Sequence, residues 1–258
     1  MSRDSTSKIL SVALLLCLVC SILVSSAAVL LNERQERNKI EEKRKNILQA
    51  AGLYREGEPI DELYQQVEPR IVDLQSGWFS ERFDPVTFDS RAAVKDPQLS
   101  RTIPDPLDLA DIKRRAQFKA VYLVREGERL QQLILPVHGK GLWSTMYGFI
   151  SLADDLTTVR GFSFYEHGET PGLGGEIDNP NWKRQWQGKR IYGENGKLRI
   201  EVVKGTVDKS DPDAVYKADG LAGSTLTARG VNNLLKYWMG EDGYQPFLER
   251  LKKQGLEP

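Results

Sequence analysis

The chain has 258 residues, and its 36 basic and 36 acidic side chains leave no net formal charge, so it offers neither nucleic acid nor an acidic substrate an electrostatic reason to bind. A composition of 28% charged and 40% apolar residues is that of a globular protein, and the stretch after the first apolar run suffices for one substantial core or two small ones. The two cysteines, Cys17 and Cys20, both lie in that apolar run, so the rest of the chain has no disulfide available and cysteine use does not report the compartment.

The first element in chain order is Ile9–Leu31, a run of 23 residues without a charge. At about 1.5 Å per residue, a helix of that length reaches about 34 Å, enough to cross a bilayer once. Ser25, Ser26, Ala27 and Ala28 are small residues of the kind found at a signal-peptide cleavage site, but the apolar run continues through Val29, Leu30 and Leu31. It is too long for an ordinary signal core, and a retained anchor is expected. Cys17 and Cys20 share a helix face and are expected to pack as small apolar residues; a redox or metal role at membrane depth is the alternative. Arg3 and Lys8 precede the run, whereas Arg34, Arg37, Lys39, Lys43, Arg44 and Lys45 follow it. A positive-inside count therefore places the following domain in the cytoplasm, although long domains translocate despite flanking charge. The segment from Asn32 to Ala51, rich in Glu, Arg, Lys and Gln and closed by Gly52, reads as a connecting helix with a solvated or headgroup-touching face.

Between Gly57 and Arg115, Pro59, Pro69, Pro85, Pro97, Pro104 and Pro106 divide the chain into short elements. Phe118 to Val124 and Leu130 to Pro136 read as strands joined by a turn at Gly127. Phe149 to Leu152 and Val159 to Tyr165, joined across Asp154 and Asp155, repeat the pattern, and Leu198 to Val203 alternates as a further strand. The expected fold class is α+β: a single N-terminal transmembrane helix, then a mixed, largely antiparallel sheet with flanking helices.

Two loops interrupt that texture. Gly139, Lys140, Gly141, Leu142 and Trp143 set two glycines beside a tryptophan, and the run from Glu169 through Thr170, Pro171, Gly172, Leu173 and Gly174 to Gly175 gathers three glycines and a proline. Such loops let backbone lie against a flat ligand; tight corners of positive φ beside a core tryptophan are the ordinary alternative. Further on, Asp219 to Thr227 (DGLAGSTLT) delivers Ser224 and Thr225 to the first turn of an amphipathic helix. Leu226, Val231, Leu234, Leu235 and Trp238 fall close to one face of that helix. Free first-turn amides and the positive end of the helix dipole favour an anion such as phosphate there, though Gly followed by Ser or Thr is also an ordinary N-cap. The chain has no lysine-bearing phosphate loop, dinucleotide fingerprint or Gly-x-Ser-x-Gly elbow. His138 and His167, the two histidines, lack ligand-spaced partners, so neither a nucleotide-triphosphate, Rossmann, serine-hydrolase nor metal site is expected.

Together GKGLW (139–143), YEHGETPGLGGEIDNPNW (165–182), VVKGTVD (202–208) and DGLAGSTLTARGV (219–231), behind one N-terminal span, closely resemble the C-subunit family of sodium-translocating NADH:quinone reductases. The likeness is densest from Phe118 onward. The flavoprotein subunit of the related complex coupling ferredoxin to NAD is the near alternative, and a non-redox membrane-anchored assembly protein the distant one. The resemblance implies FMN joined through its phosphate to a threonine by a flavin transferase acting outside the cytoplasm. Carried onto this chain, the modified residue is Thr225. Where the family pattern has a hydroxyl residue, this chain has Ala222; Ser224, beside Gly223, adds a second candidate hydroxyl and Thr227 a third.

The resemblance further implies electron relay toward quinone, coupled to sodium export, within an assembled complex of membrane and peripheral subunits. It implies no catalytic group separate from the flavin in this chain. Trp143, Leu142, Leu173, Gly174 and Thr170 would meet the ring, Glu169 would position its loop, and Lys204 would be a charged contact. The flavin domain would be periplasmic and anchored in the lipid of the bacterial inner membrane, against the charge count. The expected divisions are 1–31 for the tail and transmembrane helix, 32–53 for the connecting helix and 54–258 for the soluble domain, with an FMN-binding core at about 118–258.

Overall fold

The structure is a computed structural model, described over residues 6–256. It divides into two compact units, the first ending at Arg44 and the second beginning at Lys45. Helix α1 runs from Thr6 to Ala51. Within it, Lys8–Asn32 is long and apolar enough to cross a membrane, with a mean hydropathy of 2.8 and no burial against protein. Cys17 and Cys20 are exposed and unpaired.

The second unit contains α2 (Ile60–Tyr64), β1 (Val67–Asp73), β2 (Trp78–Ser80), α3 (Ser90–Lys95), β3 (Ser100–Thr102), β4 (Arg114–Ala116), β5 (Phe118–Glu126), β6 (Arg129–Lys140), β7 (Thr145–Ala153) and β8 (Val159–Glu166). There follow α4 (Pro180–Arg184), β9 (Glu201–Val202), β10 (Lys217–Ala218), α5 (Thr225–Trp238) and α6 (Gln245–Gln254). Six strands form one sheet in the order β2-β1-β5-β6-β7-β8, every neighbouring pair antiparallel. The fold is α+β, a sheet domain with flanking helices behind an apolar helix.

Both faces of the sheet are covered, so its central strands are apolar almost throughout. Along β5, Val121 and Leu123 enter a core shared with Leu133, Leu135, Val231, Leu234, Trp238 and Phe247, whereas Ala120, Tyr122 and Val124 enter a second core with Ile134, Phe149, Ile47 and Leu48. The first core holds α5 and α6, and the second holds the last turns of α1. Gly161 on β8 makes that second contact close: a Cβ there would stand 2.3 Å from the Ala50 carbonyl oxygen.

Three expectations change in the structure. Gly139 and Lys140, expected in a loop, end β6 paired with Met146 and Thr145, so that loop is residues 141–144. The strand expected over residues 198–203 shrinks to Glu201 and Val202, pairing in parallel with β10. The amides of Arg199 and Ile200 turn to the Ile191 carbonyl, and that of Val202 to the Asn232 side chain, which leaves no ladder to extend. On α5, the buried stripe starts from Thr227 and runs through Val231, Leu234, Leu235 and Trp238, and Leu226 stays 44% exposed. The step of four from 227 to 231 keeps one face at about 100° per residue; a step of five from 226 does not.

Candidate functional site

Helix α5 begins where Gly223 bends the chain. Gly223 adopts a φ of +70°, which a side chain resists, and Ser224 follows as N-cap. Ser224 is buried yet makes no capping hydrogen bond, and the first turn holds no acidic residue. Among the described residues, no acceptor lies within hydrogen-bond reach of the amides of Thr225, Leu226 and Thr227. These donors and the positive end of a 14-residue helix dipole converge at Thr225, which is exposed. The neighbouring hydroxyls are less accessible. Ser224 is 7% exposed, and Thr227, fully buried, donates its hydroxyl to Oε2 of Glu169.

Glu169 is the hub of the surrounding loops. Its carboxylate is buried and accepts from the Thr227 hydroxyl and from the Trp143 amide at 3.0 Å, and the neighbouring amides of Leu142 and Ser144 favour its charge. Burial alone would raise its pKa. The Thr227 hydroxyl and the three amides facing it outweigh that and hold the carboxyl below the ordinary carboxylate range. Two glycines make room for it. A Cβ on Gly141 would lie 2.4 Å from Glu169 Oε1, and one on Gly174 would lie 2.5 Å from Thr227 Oγ1 and 2.9 Å from Glu169 Oε2. A second tie joins the same loops, the Gly168 amide donating to Ser144 Oγ at 2.6 Å. One carboxylate thus keys the 141–144 loop between β6 and β7, and the 169–175 loop, to the start of α5.

The outward side of this arrangement is apolar. Leu142, Trp143, Leu173 and Leu226 are 41%, 66%, 46% and 44% exposed. Leu173 reaches Gly223, where a Cβ would stand 3.2 Å from its Cδ2. The Thr170 carbonyl accepts the amides of Leu173 at 3.1 Å and Gly175 at 2.9 Å, closing a turn through Gly172 at a φ of +76°. Single exposed leucines are ordinary, but four large apolar side chains around uncommitted amides form a surface suited to a flat ring carrying an anionic group. Lys204 is exposed on the adjoining turn. There the Gly220 amide donates to the Gly205 carbonyl at 2.8 Å, and a Cβ on Gly220 would lie 2.4 Å from the Val203 carbonyl oxygen. Asp219 acts within the loop, its carboxylate accepting the Val207 amide at 2.8 Å and its carbonyl the Trp182 indole at 3.1 Å.

Sequence comparison places these loops in a known context. A family model described as an FMN-binding domain matches residues 141–240. The C-subunit of the Na(+)-translocating NADH-quinone reductase of Pseudomonas aeruginosa is 49% identical, with 98% of each chain covered. The protein of the same name from Yersinia pestis is 45% identical, over 99% of this chain and 97% of its own length. The chain belongs to this C-subunit family. Among solved structures, Shewanella oneidensis NqrC superimposes with a TM-score of 0.78 at 33% identity, covering 84% of this chain and all of its own. The C-subunit of the Parabacteroides distasonis enzyme gives 0.66 at 27%, covering 84% and 96%.

Within this family member, the structure gathers Gly223, Ser224, Thr225, Thr227, Leu142, Trp143, Glu169, Thr170, Leu173 and Gly174 about the start of α5, with Lys204 on the adjacent turn making no hydrogen bond to a described residue. Sequence reasoning misses three contributors. Spacing assigns Leu226 to the core; composition gives Gly141 to a ligand rather than to the Glu169 carboxylate; Ser144 carries no signal at all. The stripe of threes and fours beginning at Thr227 is the pattern that flags Leu226.

Proposed function

We propose that this chain holds FMN through a phosphoester to the Thr225 hydroxyl and serves as an electron-relay subunit of a sodium-translocating NADH:quinone reductase. The observation that carries this reading is the uncapped start of α5, where the exposed hydroxyl of Thr225 stands among uncommitted amides and beside exposed Leu142, Trp143, Leu173 and Leu226. Those amides and the helix dipole suit a phosphate, and the apolar side chains suit an isoalloxazine ring. Thr227 is a poor carrier because its hydroxyl is buried and committed to Glu169.

When bound, FMN supplies reversible electron uptake and release, and the ester prevents its loss into an open compartment. The protein's own residues do the positioning. Glu169 holds the two loops in register through Thr227 and the amides of residues 142–144, Thr170 closes the turn that presents Leu173, and Trp143 and Leu142 exclude water. Lys204 supplies an exposed positive charge on the adjoining turn.

The names of the relatives, each one subunit of a larger enzyme, imply further subunits as partners. NADH oxidation, quinone reduction and the sodium path belong to those subunits. Helix α1 anchors the chain in the inner-membrane lipid as one span, with the flavin domain in the periplasm, where the flavin transferase meets Thr225. The test is intact mass and peptide mapping of the chain made alongside its flavin transferase. The flavin phosphate should map to Thr225, and Thr225→Val should give folded, colourless protein. Flavin on Ser224 or Thr227 would overturn the assignment.

A further inference from the structure

A cavity lies at the other end of α5. Its volume is about 230 Å³, and its lining includes Arg91, Arg114, Lys119, His138, Tyr147 and Tyr165. Helix α5 has 14 residues and thus spans about 20 Å; Thr225 opens it and Trp238 closes it. Lys119 Nζ lies over the Trp238 ring at 4.5 Å, so this cavity and the Thr225 loops are separate places on the fold.

The cavity is built around a buried, uncompensated cation. Lys119 is 4% exposed, and among the described residues its ammonium has no hydrogen-bond acceptor and no carboxylate partner. A charge so buried is costly unless something pairs it, and the face of one indole offsets only part of that cost. The other charges do not supply the missing partner. Glu166 is taken by Arg91 at 2.8 Å, and Asp111 by Lys113 at 2.8 Å. The Asp89 side chain accepts the Arg91 amide. Arg114 adds a further positive charge that, among the described residues, hydrogen-bonds only the hydroxyls of Thr102 and Ser100. His138, stacked on Tyr147 with centroids 5.4 Å apart, has its pKa pushed well down by burial and by Lys119 and Arg91, so it stays neutral. Tyr165 accepts from Arg91 at 3.2 Å, and Arg115 is a further buried cation whose partner is Asp242. The 108–113 segment at the rim holds Asp111 and Lys113 at φ of 51° and 62°. That backbone is strained for residues with side chains, and the Asp108 carboxylate fixes it by accepting the amides of Ile112 and Lys113.

We infer that this cavity binds a small oxyanion, a carboxylate or phosphate group seated on Lys119 and Arg114 with its remaining atoms against the Tyr147, Tyr165 and His138 rings. Burial, reinforced by Arg91 and Arg115, lowers the Lys119 pKa to about 7, with Asp89 opposing. Binding therefore draws a proton onto the lysine near neutrality and weakens as pH rises through that value.

The full chain in detergent, carrying its cofactor, is titrated separately with inorganic phosphate and with benzoate, and acylation of Lys119 at pH 7 is followed by peptide mass spectrometry. A saturating anion should slow acylation of Lys119 at least tenfold and leave the exposed Lys209 unchanged. Protection by both probes, or by one alone, supports the site and identifies the group it takes. Benzoate affinity should fall between pH 6 and 8, because a carboxylate with a pKa near 4 keeps its charge over that range while Lys119 loses its proton. The anion-dependent rise in Tm should disappear in Lys119→Met. Absence of protection by either probe, or an anion-dependent rise in Tm that survives in a folded Lys119→Met, overturns the inference.

Discussion

Replacing Glu169 by Gln removes one negative charge and almost no volume, and it should loosen both loops at the start of α5. In the wild type the carboxylate accepts from the Thr227 hydroxyl and the Trp143 amide, and the neighbouring amides of Leu142 and Ser144 favour its charge. A glutamine oxygen can still face the amides while its NH2 faces Thr227, whose hydroxyl can turn to accept, so the bonds persist but lose charge assistance. Bonds to a charged group contribute about 1.5–3 kcal/mol and neutral ones about 1 kcal/mol; with the several bonds sharing one charge, the expected loss is about 2–4 kcal/mol. The effect also has a signature in pH. The folded pKa lies below that of the unfolded chain, so this stabilisation is fully present above about pH 4.3 and fades as pH falls through the lower folded value. Denaturant unfolding of the wild type and Glu169→Gln should therefore differ at pH 7 and converge in acid. Equal stability at pH 7 within about 0.5 kcal/mol, or a difference that does not shrink in acid, would refute the role assigned to this carboxylate.

Four further outcomes are expected. Gly174→Ala should lower stability and flavin attachment together, because its methyl would fall 2.5 Å from Thr227 Oγ1; normal flavin content in a variant of wild-type Tm would contradict the packing. Leu173→Asp, once circular dichroism shows it folded and mass spectrometry shows Thr225 modified, should shift flavin absorbance, fluorescence and potential, and an unchanged spectrum would remove this loop from the ring. A soluble form starting at Lys45 should melt well above one starting at Tyr54, since the shorter form loses fully buried Ile47 and Leu48, each contributing about 1.5–3 kcal/mol; equal Tm values would count against the second core. A phosphatase reporter fused after Pro258 should be active and a cytoplasm-only fluorescent reporter dark, and the opposite pattern would reverse the topology.

The sheet is readable where local chemistry speaks alone. The hairpin around Gly127, the pairing across Asp154 and Asp155 and the helix beginning at Thr225 follow from alternation, turn residues and a 3.6-residue period. The two glycine loops are recognisable as unusual from composition, but not why. Gly141 and Gly174 are small because a carboxylate and a hydroxyl distant in sequence occupy the space beside them, and no local pattern encodes such a neighbour. Leu226 goes astray through helical phase, since an error of one residue exchanges core for surface. The strand at 198–203 fails because an amide promised to a ladder by alternation is claimed by Asn232 instead.

The Glu169 seat has a consequence for the medium the protein works in. Among the described residues no cation pairs with this carboxylate, which is held by one hydroxyl and a row of peptide dipoles inside a glycine-walled recess. Dissolved ions weaken attraction between exposed charges over a Debye length of about 8 Å at 0.15 M, but they do not enter contacts of hydrogen-bond length in a buried recess. A protein of a sodium-translocating reductase family thus has its loops fastened by a latch indifferent to brine.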